Sequence, residues 1–488
     1  MILKSSERLD KVEIEKRNQL WTYIITGALI LISLVYYMAN QYYVYLIVYI
    51  WFGVAYGMML QYGRFCFASA SRDLFAAGVP RMAVGILIAL LFFSVIQAIL
   101  AATDMSTFHP APRSIHVVIA GFIFGIGMVL AGGCASGSLY KIGEGNGTSM
   151  LAIIGISFGQ AIFVDLGGVF NRLLPQGWID NAMSKGWFPK DKLTSWYDHY
   201  LVGYVWDQPA KMLSQSDMFK GMSGFPKYFL SNSLINAIIP ALVLMVVIYF
   251  FYSRKGYMRK LSKTRENVGG IGDEISGIWT MITASKRTSI MGVLVGITAG
   301  LHIFTMKGMR IKFDVNNFGE LLSRMGHTEG LSVKGTVFDP GYWYITSQEA
   351  QLGGWVLEKF GWDMQDNVFF GYVNGIPELW DNPALWMSVG IVFGAMILAL
   401  LSGEFKFKVP KGELIVWGLG GGLLMGIGSR LALGCNIGAF FIRSAGGDIG
   451  GWYFGLGMVL GALLGVKFFN WWTERKMAQE MANFDIDL

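Results

Sequence analysis

The feature that most constrains the fold is a segment that occurs twice, at an offset of 301 residues. Residues 121–137 read GFIFGIGMVLAGGCASG, and residues 422–438 read GLLMGIGSRLALGCNIG. Nine of the seventeen aligned positions are identical, including the cysteines Cys134 and Cys435. Each copy is an apolar run with a GxxxG step, which is typical of closely packed membrane helices, and ends at a thiol flanked by glycine. The repeat predicts two related halves.

Apolar runs of about 20 residues recur along the chain, which is the length that crosses the hydrocarbon layer of a bilayer as a helix. The 488 residues are 53% hydrophobic, too apolar for an ordinary soluble protein. We therefore predict an all-α polytopic membrane protein with about ten transmembrane helices. The predicted spans are residues 20–39, 43–60, 82–101, 115–132, 150–170, 231–252, 289–306, 385–402, 413–433 and 451–470.

Lysine and arginine residues cluster in alternate connections between these spans. Five precede the first span, three lie in residues 61–81, eight in 253–288 and three in 403–412. Because basic connections face the cytoplasm, we expect a multi-pass protein of the plasma (inner) membrane with both termini cytoplasmic. The first apolar run has no small-residue cleavage site, so we interpret it as an uncleaved helix.

An odd number of predicted spans separates the two cysteine segments, so the two copies enter the membrane from opposite faces. This is a five-plus-five inverted repeat, with broken or short helices at the cysteine motifs that meet near the midplane. The first repeat is residues 1–170, and the second begins at 231–306 and resumes at 385–488, which includes the cytoplasmic C-terminus. The insertions 171–230 and 307–384 fall outside the membrane, where we expect a cap over one mouth or an oligomer contact.

All three cysteines lie where predicted helices stop. Cys66 follows Gly63-Arg-Phe and has no cysteine counterpart, since matching the GxxxG steps puts Met309 opposite it. A buried thiol is soft and polarizable and has a weak S–H donor, so it suits the soft end of a sulphur- or selenium-containing anion. Helix amino termini after a break offer N–H groups to the charge. We therefore predict a substrate pathway lined by Cys66, Cys134 and Cys435.

Residues beside the cysteines extend this predicted pathway. Glycine lets the backbone come close to an anion, and Asn436 offers an amide donor. The nearest cations are Arg64, Lys141, Arg430 and Arg443. Arg64 and Arg443 can equally snorkel at a membrane end, whereas Arg430 needs water, carbonyls or a carboxylate such as Asp448 or Asp165. The predicted pathway residues are Cys66, Cys134, Cys435, Gly133, Gly137, Gly434, Asn436, Gly438, Arg430 and Arg64.

Other function classes find little support in the sequence. GxxxxGK[ST], HExxH and GxSxG are absent, so we predict no enzyme, no catalytic residue and no cofactor. The five histidines form no zinc pattern, and the 26 methionines are scattered through apolar runs, where Met fills core, so we predict no metal site. The formal charge of +6 reflects topology and does not favour a nucleic-acid partner.

Three motifs in this order resemble the YeeE/YedE family of sulphur-compound transporters. They are Gly-Arg-Phe-Cys66 with Arg72-Asp73, Leu-Ala-Gly-Gly-Cys134-x-x-Gly137 with Gly143-Glu-Gly-Asn146, and Arg430-Leu-Ala-Leu-Gly-Cys435-Asn436. The resemblance implies an inverted-repeat membrane fold, with thiosulfate handed between thiols by S–H contacts. It also implies a small cytoplasmic sulphur carrier of the TusA type as partner. Another branch is linked to selenium metabolism, and the two long insertions depart from the compact thiosulfate members.

The favoured hypothesis is an importer of thiosulfate or a related sulphur-containing anion. One alternative is a transporter of a selenium species. The other is a membrane sulphur-transfer or redox protein in which a cysteine forms a persulfide. Covalent chemistry needs an accessible thiolate of low pKa, whereas a relay of hydrogen bonds does not.

Overall fold

The computed structural model describes residues 2–108, 113–165, 175–185, 206, 219, 221–265, 268–315, 318–326, 343, 345–362 and 378–484. These residues contain helices and no strand. In the first half the helices are α1 (Ile2–Ala39), α2 (Val44–Gly63), α3 (Phe67–Ala77), α4 (Arg81–Ala102), α5 (Ile115–Leu130), α6 (Ala135–Gly143) and α7 (Gly147–Asp165).

The remaining helices begin in the first insertion and run to the C-terminal region. They are α8 (Gln176–Ser184), α9 (Gly224–Leu261), α10 (Ile271–Thr283), α11 (Lys286–Phe313), α12 (Phe318–Arg324), α13 (Thr346–Lys359), α14 (Pro383–Leu401), α15 (Glu413–Leu431), α16 (Asn436–Ile442, continuing as Arg443–Ala445) and α17 (Gly450–Phe484). Helix α9 contains two π-helical stretches, and α16 begins as a π-helix.

All ten predicted spans coincide with apolar helices. Among the described residues, eight helical segments are long and apolar enough to cross a membrane, namely those containing α1, α2 with α3, α4, α5 with α6, α9, α11, α15 and α17. The other two spans correspond to α7 and α14, which contain shorter apolar stretches. The prediction of an all-α polytopic membrane protein is confirmed.

The GxxxG steps lie where helices cross at close range. A Cβ atom on Gly53 or Gly57 of α2 would collide with the backbone of α14. One on Gly121 or Gly125 of α5 would collide with the backbone of α17. Small residues at such crossings let two backbones approach, and dispersion contacts then hold the helices together. These steps therefore pack helices, as their sequence pattern indicates.

The main contacts between a helix of the first half and a helix of the second half have counterparts in which the two halves exchange roles. Helix α2 packs on α14 and α4 packs on α11, while α5 packs on α17 and α7 on α15. The short helix α3 contacts α17, and the short helix α13 contacts α7. A chain with two related halves predicts such reciprocal pairs. The opposite orientation of the halves in the membrane, and the domain boundaries, stay predictions.

Part of the second insertion belongs to the helix bundle. Helix α13 packs on α7, and Gln160 donates a hydrogen bond of 2.6 Å to the Thr346 carbonyl at its start. Trp343 is buried and stacks on Tyr56, with ring centroids 3.8 Å apart. Most of 171–230 lies outside the described residues, so the expected external cap stays a prediction.

Candidate functional site

Each cysteine immediately precedes a short helix and is buried. Cys66 precedes α3, Cys134 precedes α6 and Cys435 precedes α16. The first N–H groups of a helix have no intrahelical acceptor, so a residue at this position can face them. The Cys134 sulphur accepts from the Gly137 N–H at 3.3 Å, and the Cys435 sulphur accepts from the Ile437 N–H at 3.4 Å. The thiols thus lie at helix amino termini, as the sequence predicts.

A left-handed residue turns the chain before each of these short helices. Arg64 has φ 57°, Gly132 has φ 70° and Leu433 has φ 62°. Gly132 and Leu433 occupy the same position in the two copies of the repeat. The left-handed conformation costs leucine about 1–2 kcal/mol more than glycine. The second copy therefore keeps the turn at a cost, which indicates that the break itself is required.

Two of the three thiols are in contact. The Cys66 and Cys134 sulphurs are 3.7 Å apart, and the Cys134 sulphur is 3.6 Å from the Ser136 hydroxyl. A Cβ atom on Gly137 would collide with the Cys66 sulphur. The absence of a side chain at Gly137 therefore allows the two sulphurs to meet. Gly133 is also confined, since a Cβ there would lie 2.8 Å from the Ser138 hydroxyl.

The helix breaks converge on one small cavity. Phe65 and Phe67 flank Cys66, Ser136 follows Cys134 by two residues, and Ile437 follows Cys435 by two. All four line the cavity. The other lining residues are Leu60, Ile86, Val295, Trp343 and Phe441. Most of this wall is apolar, so a charged solute here would depend on the few donors at the breaks.

The Cys435 break is polar and less tightly filled. The Asn436 side chain is fully buried, and neither its oxygen nor its nitrogen has a hydrogen-bond partner among the described residues. Gly434 has φ 155°, which favours glycine, whereas a Cβ on Gly438 would meet nothing within 4 Å. Thr346, the first residue of α13, lies beside the Cys435 thiol. This break therefore has an amide without a partner among the described residues and an open position at Gly438.

Arg64 binds two carboxylates on the side of its turn away from α3. Its guanidinium lies 2.7 Å from both Glu144 and Glu404, and Gln61 donates to Glu404 at 2.8 Å. Burial raises the pKa of the Glu144 carboxyl, against the opposing effects of Arg64 and Lys141. Arg64 thus joins the ends of α2, α6 and α14 at one end of the bundle. Its predicted place in the pathway stays a prediction.

The other candidate cations have different environments. Lys141 donates to the Gly132 carbonyl at 2.6 Å and so fixes the turn before Cys134. Arg443 is buried and binds Asp448 at 2.9 Å, so it does not snorkel at a membrane end. Arg113 also approaches Asp448, at 3.8 Å.

Arg430 lies in the last turn of α15 and is only 3% exposed. Its predicted role in the pathway, and its alternative pairing with Asp448 or Asp165, stay predictions. The side chain of Asp165 lies outside the described residues.

Sequence reasoning missed a fourth break, in the second insertion. Helix α11 runs through Met309 to Phe313, so no break stands at the position aligned with Cys66. The chain instead turns at Asp314, with φ 51°, and the short helix α13 later in this insertion packs on α7. Trp343 lies just before α13 and lines the cavity. No cysteine marks this break, and α13 is too polar to stand out as an apolar run.

The described residues contain no group of three His, Cys, Asp or Glu side chains that could hold a metal ion. The thiols, amide groups and hydroxyls around the cavity are hydrogen-bonding groups. The site can therefore receive an anion through N–H, O–H and S–H donors.

Comparison with known proteins identifies the family to which this chain belongs. A family model described as "Sulphur transport" matches residues 62–464, which include all three cysteine motifs. The chain belongs to the sulphur-transport family. The resemblance to YeeE/YedE proteins is thereby confirmed, and this member of the family is a multi-pass membrane transporter of sulphur compounds rather than an enzyme.

Several curated relatives support this assignment. The chain is 27% identical over 411 residues to the thiosulfate transporter TsuA of Spirochaeta thermophila, covering 84% of this chain and 94% of that protein. It is 25% identical over 425 residues to TsuA of Escherichia coli, covering 86% and 92%. A shorter match, 30% identical over 132 residues, joins it to the probable transporter YedE of Salmonella typhimurium, covering 26% of this chain and 32% of that protein.

Proposed function

We propose that this protein imports thiosulfate, or a closely related sulphur-containing anion, along a pathway lined by Cys66, Cys134 and Cys435. The observation that carries the proposal is the convergence of the three cysteine breaks on one small cavity. Two similar transporters over most of the chain are named thiosulfate transporters, which supports this choice of substrate.

The chemistry of the cavity suits an anion with a soft end and a hard end. A terminal sulphur is polarizable and accepts weak S–H hydrogen bonds, so neutral thiols can pass it on without forming a bond. The oxygens need stronger donors, which the helix amino termini and the buried Asn436 amide supply. Weak contacts at several thiols also favour passage, because no single site holds the anion too tightly.

The direction of transport follows from the predicted topology. The matching helix pairs support two related halves. The odd number of predicted spans between the two cysteine motifs and the positions of the basic connections favour an inverted repeat in the inner membrane, with both termini cytoplasmic. Cys66 and Cys134 lie beside the Arg64 cluster, whose loops are the ones predicted to be cytoplasmic. The anion then passes Cys435 first and the Cys66–Cys134 pair last. A TusA-like sulphur carrier is the proposed cytoplasmic recipient.

Uptake of labelled thiosulfate into vesicles containing the purified protein tests this function. We expect saturable uptake that unlabelled thiosulfate abolishes and that sulfate reduces little, because sulfate lacks the soft terminal sulphur. Sulfite and selenite are the informative competitors, since stronger competition by selenite would favour the selenium alternative. Vesicles with Cys435→Ala protein are the matched control. Absence of uptake above that control contradicts the proposal.

The 3.7 Å contact between the Cys66 and Cys134 sulphurs favours a second candidate, sulphur transfer or redox chemistry at a thiol. Covalent chemistry requires a thiolate, whereas the relay requires protonated thiols. The alkylation rate of single-cysteine variants against pH separates them. The relay predicts slow alkylation that rises only above about pH 9, while rapid alkylation at neutral pH would favour the covalent candidate.

A further inference from the structure

A buried carboxyl group lies one helical turn from the Cys435 break. Glu349 is in the first turn of α13 and is 2% exposed. Its Oε1 atom has no hydrogen-bond partner among the described residues. The Ser388 hydroxyl on α14 faces it without hydrogen-bond geometry and is likewise without a partner in the described part of the chain. A carboxyl group buried in this way in a membrane protein is costly to ionise and is seldom retained without a function.

The position of Glu349 connects it to the proposed pathway. Thr346 lies beside the Cys435 thiol, and residues three apart on a helix have Cβ atoms roughly 5–6 Å apart. The start of α13 is fixed to α7 by the Gln160 hydrogen bond, and a Cβ on Gly353 would lie 2.5 Å from the Ser157 carbonyl oxygen. Glu349 is therefore held close to Cys435 by a rigid contact.

The helices around Glu349 bring few charges to it. Helix α13 packs on α7, α14 and α15. Helix α14 contains no ionisable residue, and on α7 the acidic residue is Asp165, whose side chain is not described. On α15, Glu413 binds Lys476 at the far end and Arg430 is in the last turn. Burial raises the pKa of Glu349 to about 7, the Ser388 hydroxyl opposes this, and no described charged group shifts it.

We propose that Glu349 is a proton-binding site that couples proton uptake to the binding of the anion at Cys435. This inference rests on the proposed function. An ionised Glu349 repels an anion beside Cys435, and the repulsion is strong in a medium of low dielectric constant. A neutral carboxyl removes the repulsion and adds an O–H donor. Since coupling between two ligands is reciprocal, the bound anion also raises the affinity of Glu349 for a proton.

Initial uptake of thiosulfate between pH 5.5 and 8.5 tests the coupling. With a titration midpoint of Glu349 near pH 7, the fraction of protein with a protonated Glu349 falls about tenfold from pH 6 to pH 8. We expect wild-type uptake to fall by the same factor. Glu349→Gln, a permanent neutral analogue, gives a flat profile at about the wild-type rate of pH 6. Glu358→Gln, on the last turns of the same helix, keeps the wild-type profile. Wild-type uptake that does not change with pH, or a pH-dependent Glu349→Gln, overturns the proposal.

A second readout does not depend on the substrate. The folded pKa of Glu349 lies above the ordinary value of 4.5, so the folded state binds more protons than the unfolded state between these values. Glu349 therefore contributes a fall in the thermal midpoint as pH rises from about 4.5 to about 7, and Glu349→Gln removes that contribution relative to the wild type. If no thiosulfate is transported, the proposed function fails, and this profile alone decides whether Glu349 binds a proton. If Glu349→Gln does not fold, Glu349→Ala serves as the non-ionisable variant and should lack the same contribution to the fall.

Discussion

The two copies of the cysteine motif have similar backbones and different surroundings. At the first break, Cys134 contacts Cys66 and Ser136, and Gly137 leaves no free volume. At the second break, the amide of Asn436 is buried without a partner in the described residues, and Gly438 borders free space. The first break is closed by sulphur contacts, whereas the second has a buried amide that is available for hydrogen bonding. A duplicated motif can thus specify the turn while its variable positions specify the role.

The aligned positions account for this difference. Asn436 stands where the first copy has Ala135, and Arg430 where it has Val129, so at these two positions only the second copy is polar. Burying an amide without a hydrogen-bond partner is unfavourable, so Asn436 lowers stability unless something binds it. This difference agrees with the proposed order of passage, in which the anion meets Cys435 first and the Cys66–Cys134 pair last.

The largest expected effect is the loss of a thiol from either break. Cys134→Ala and Cys435→Ala each abolish thiosulfate uptake and lower the free energy of unfolding by only about 1 kcal/mol, because each removes one small buried atom. Serine at either position also fails, since its hydroxyl is hard and poorly polarizable. Uptake assays and thermal melts of the four variants check this. Wild-type uptake by both serine variants would mean that the cysteines only pack.

The matched glycines give the sharpest test of the difference between the breaks. Gly137→Ala forces a methyl group into the Cys66 sulphur, so uptake falls more than about tenfold and the free energy of unfolding falls by about 1–3 kcal/mol. Gly438→Ala meets open space and leaves the thermal midpoint unchanged. Thermal melts and uptake of the two variants check this. Equal changes in uptake and in thermal midpoint for the two variants would contradict the difference between the two breaks.

Asn436 tests the polar character of the second break. Loss of its amide removes about 1 kcal/mol of anion binding, so Asn436→Ala raises the apparent Km about fivefold. Stability does not fall, because the buried amide lacks a hydrogen-bond partner among the described residues. Uptake kinetics and melts measure both quantities, with Gln97→Ala as a control for loss of another buried amide without a partner among the described residues. A destabilised protein with an unchanged Km would make Asn436 structural.

Among the four sets of substitutions, those at Arg430 are expected to change uptake least. If its guanidinium attracts the anion towards Cys435, Arg430→Gln raises the apparent Km several-fold, more at low salt than at high salt, and Arg430→Lys retains part of the uptake. Uptake kinetics at two salt concentrations measure this. A stable Arg430→Gln protein with an unchanged Km at both salt concentrations excludes Arg430 from the pathway.

The sequence predicts the parts of this molecule that local pattern specifies. Apolar run length predicts the spans, and the glycine-flanked thiols at 134 and 435 predict the two repeat-related breaks. Contacts between segments that are distant in sequence cannot be predicted from that local pattern. The approach of Cys66 to Cys134, the burial of Arg443 against Asp448, and the insertion of α13 beside Cys435 all depend on how helices pack. The low hydropathy of α13 predicts an external helix, whereas α13 packs on α7. Hydropathy does not register that the Thr346 carbonyl and Gln351 are hydrogen-bonded to Gln160 and Asn382.

The most direct test of the account is a structure determined with thiosulfate bound. We expect the anion at the cavity lined by Ser136 and Ile437, with its terminal sulphur within about 4 Å of the Cys435 or Cys134 sulphur. Its oxygens should face the Asn436 amide and the N–H groups that begin α16. An anion bound only at the surface, with the cavity and the three thiols unoccupied at saturating thiosulfate, would contradict the thiol-lined pathway.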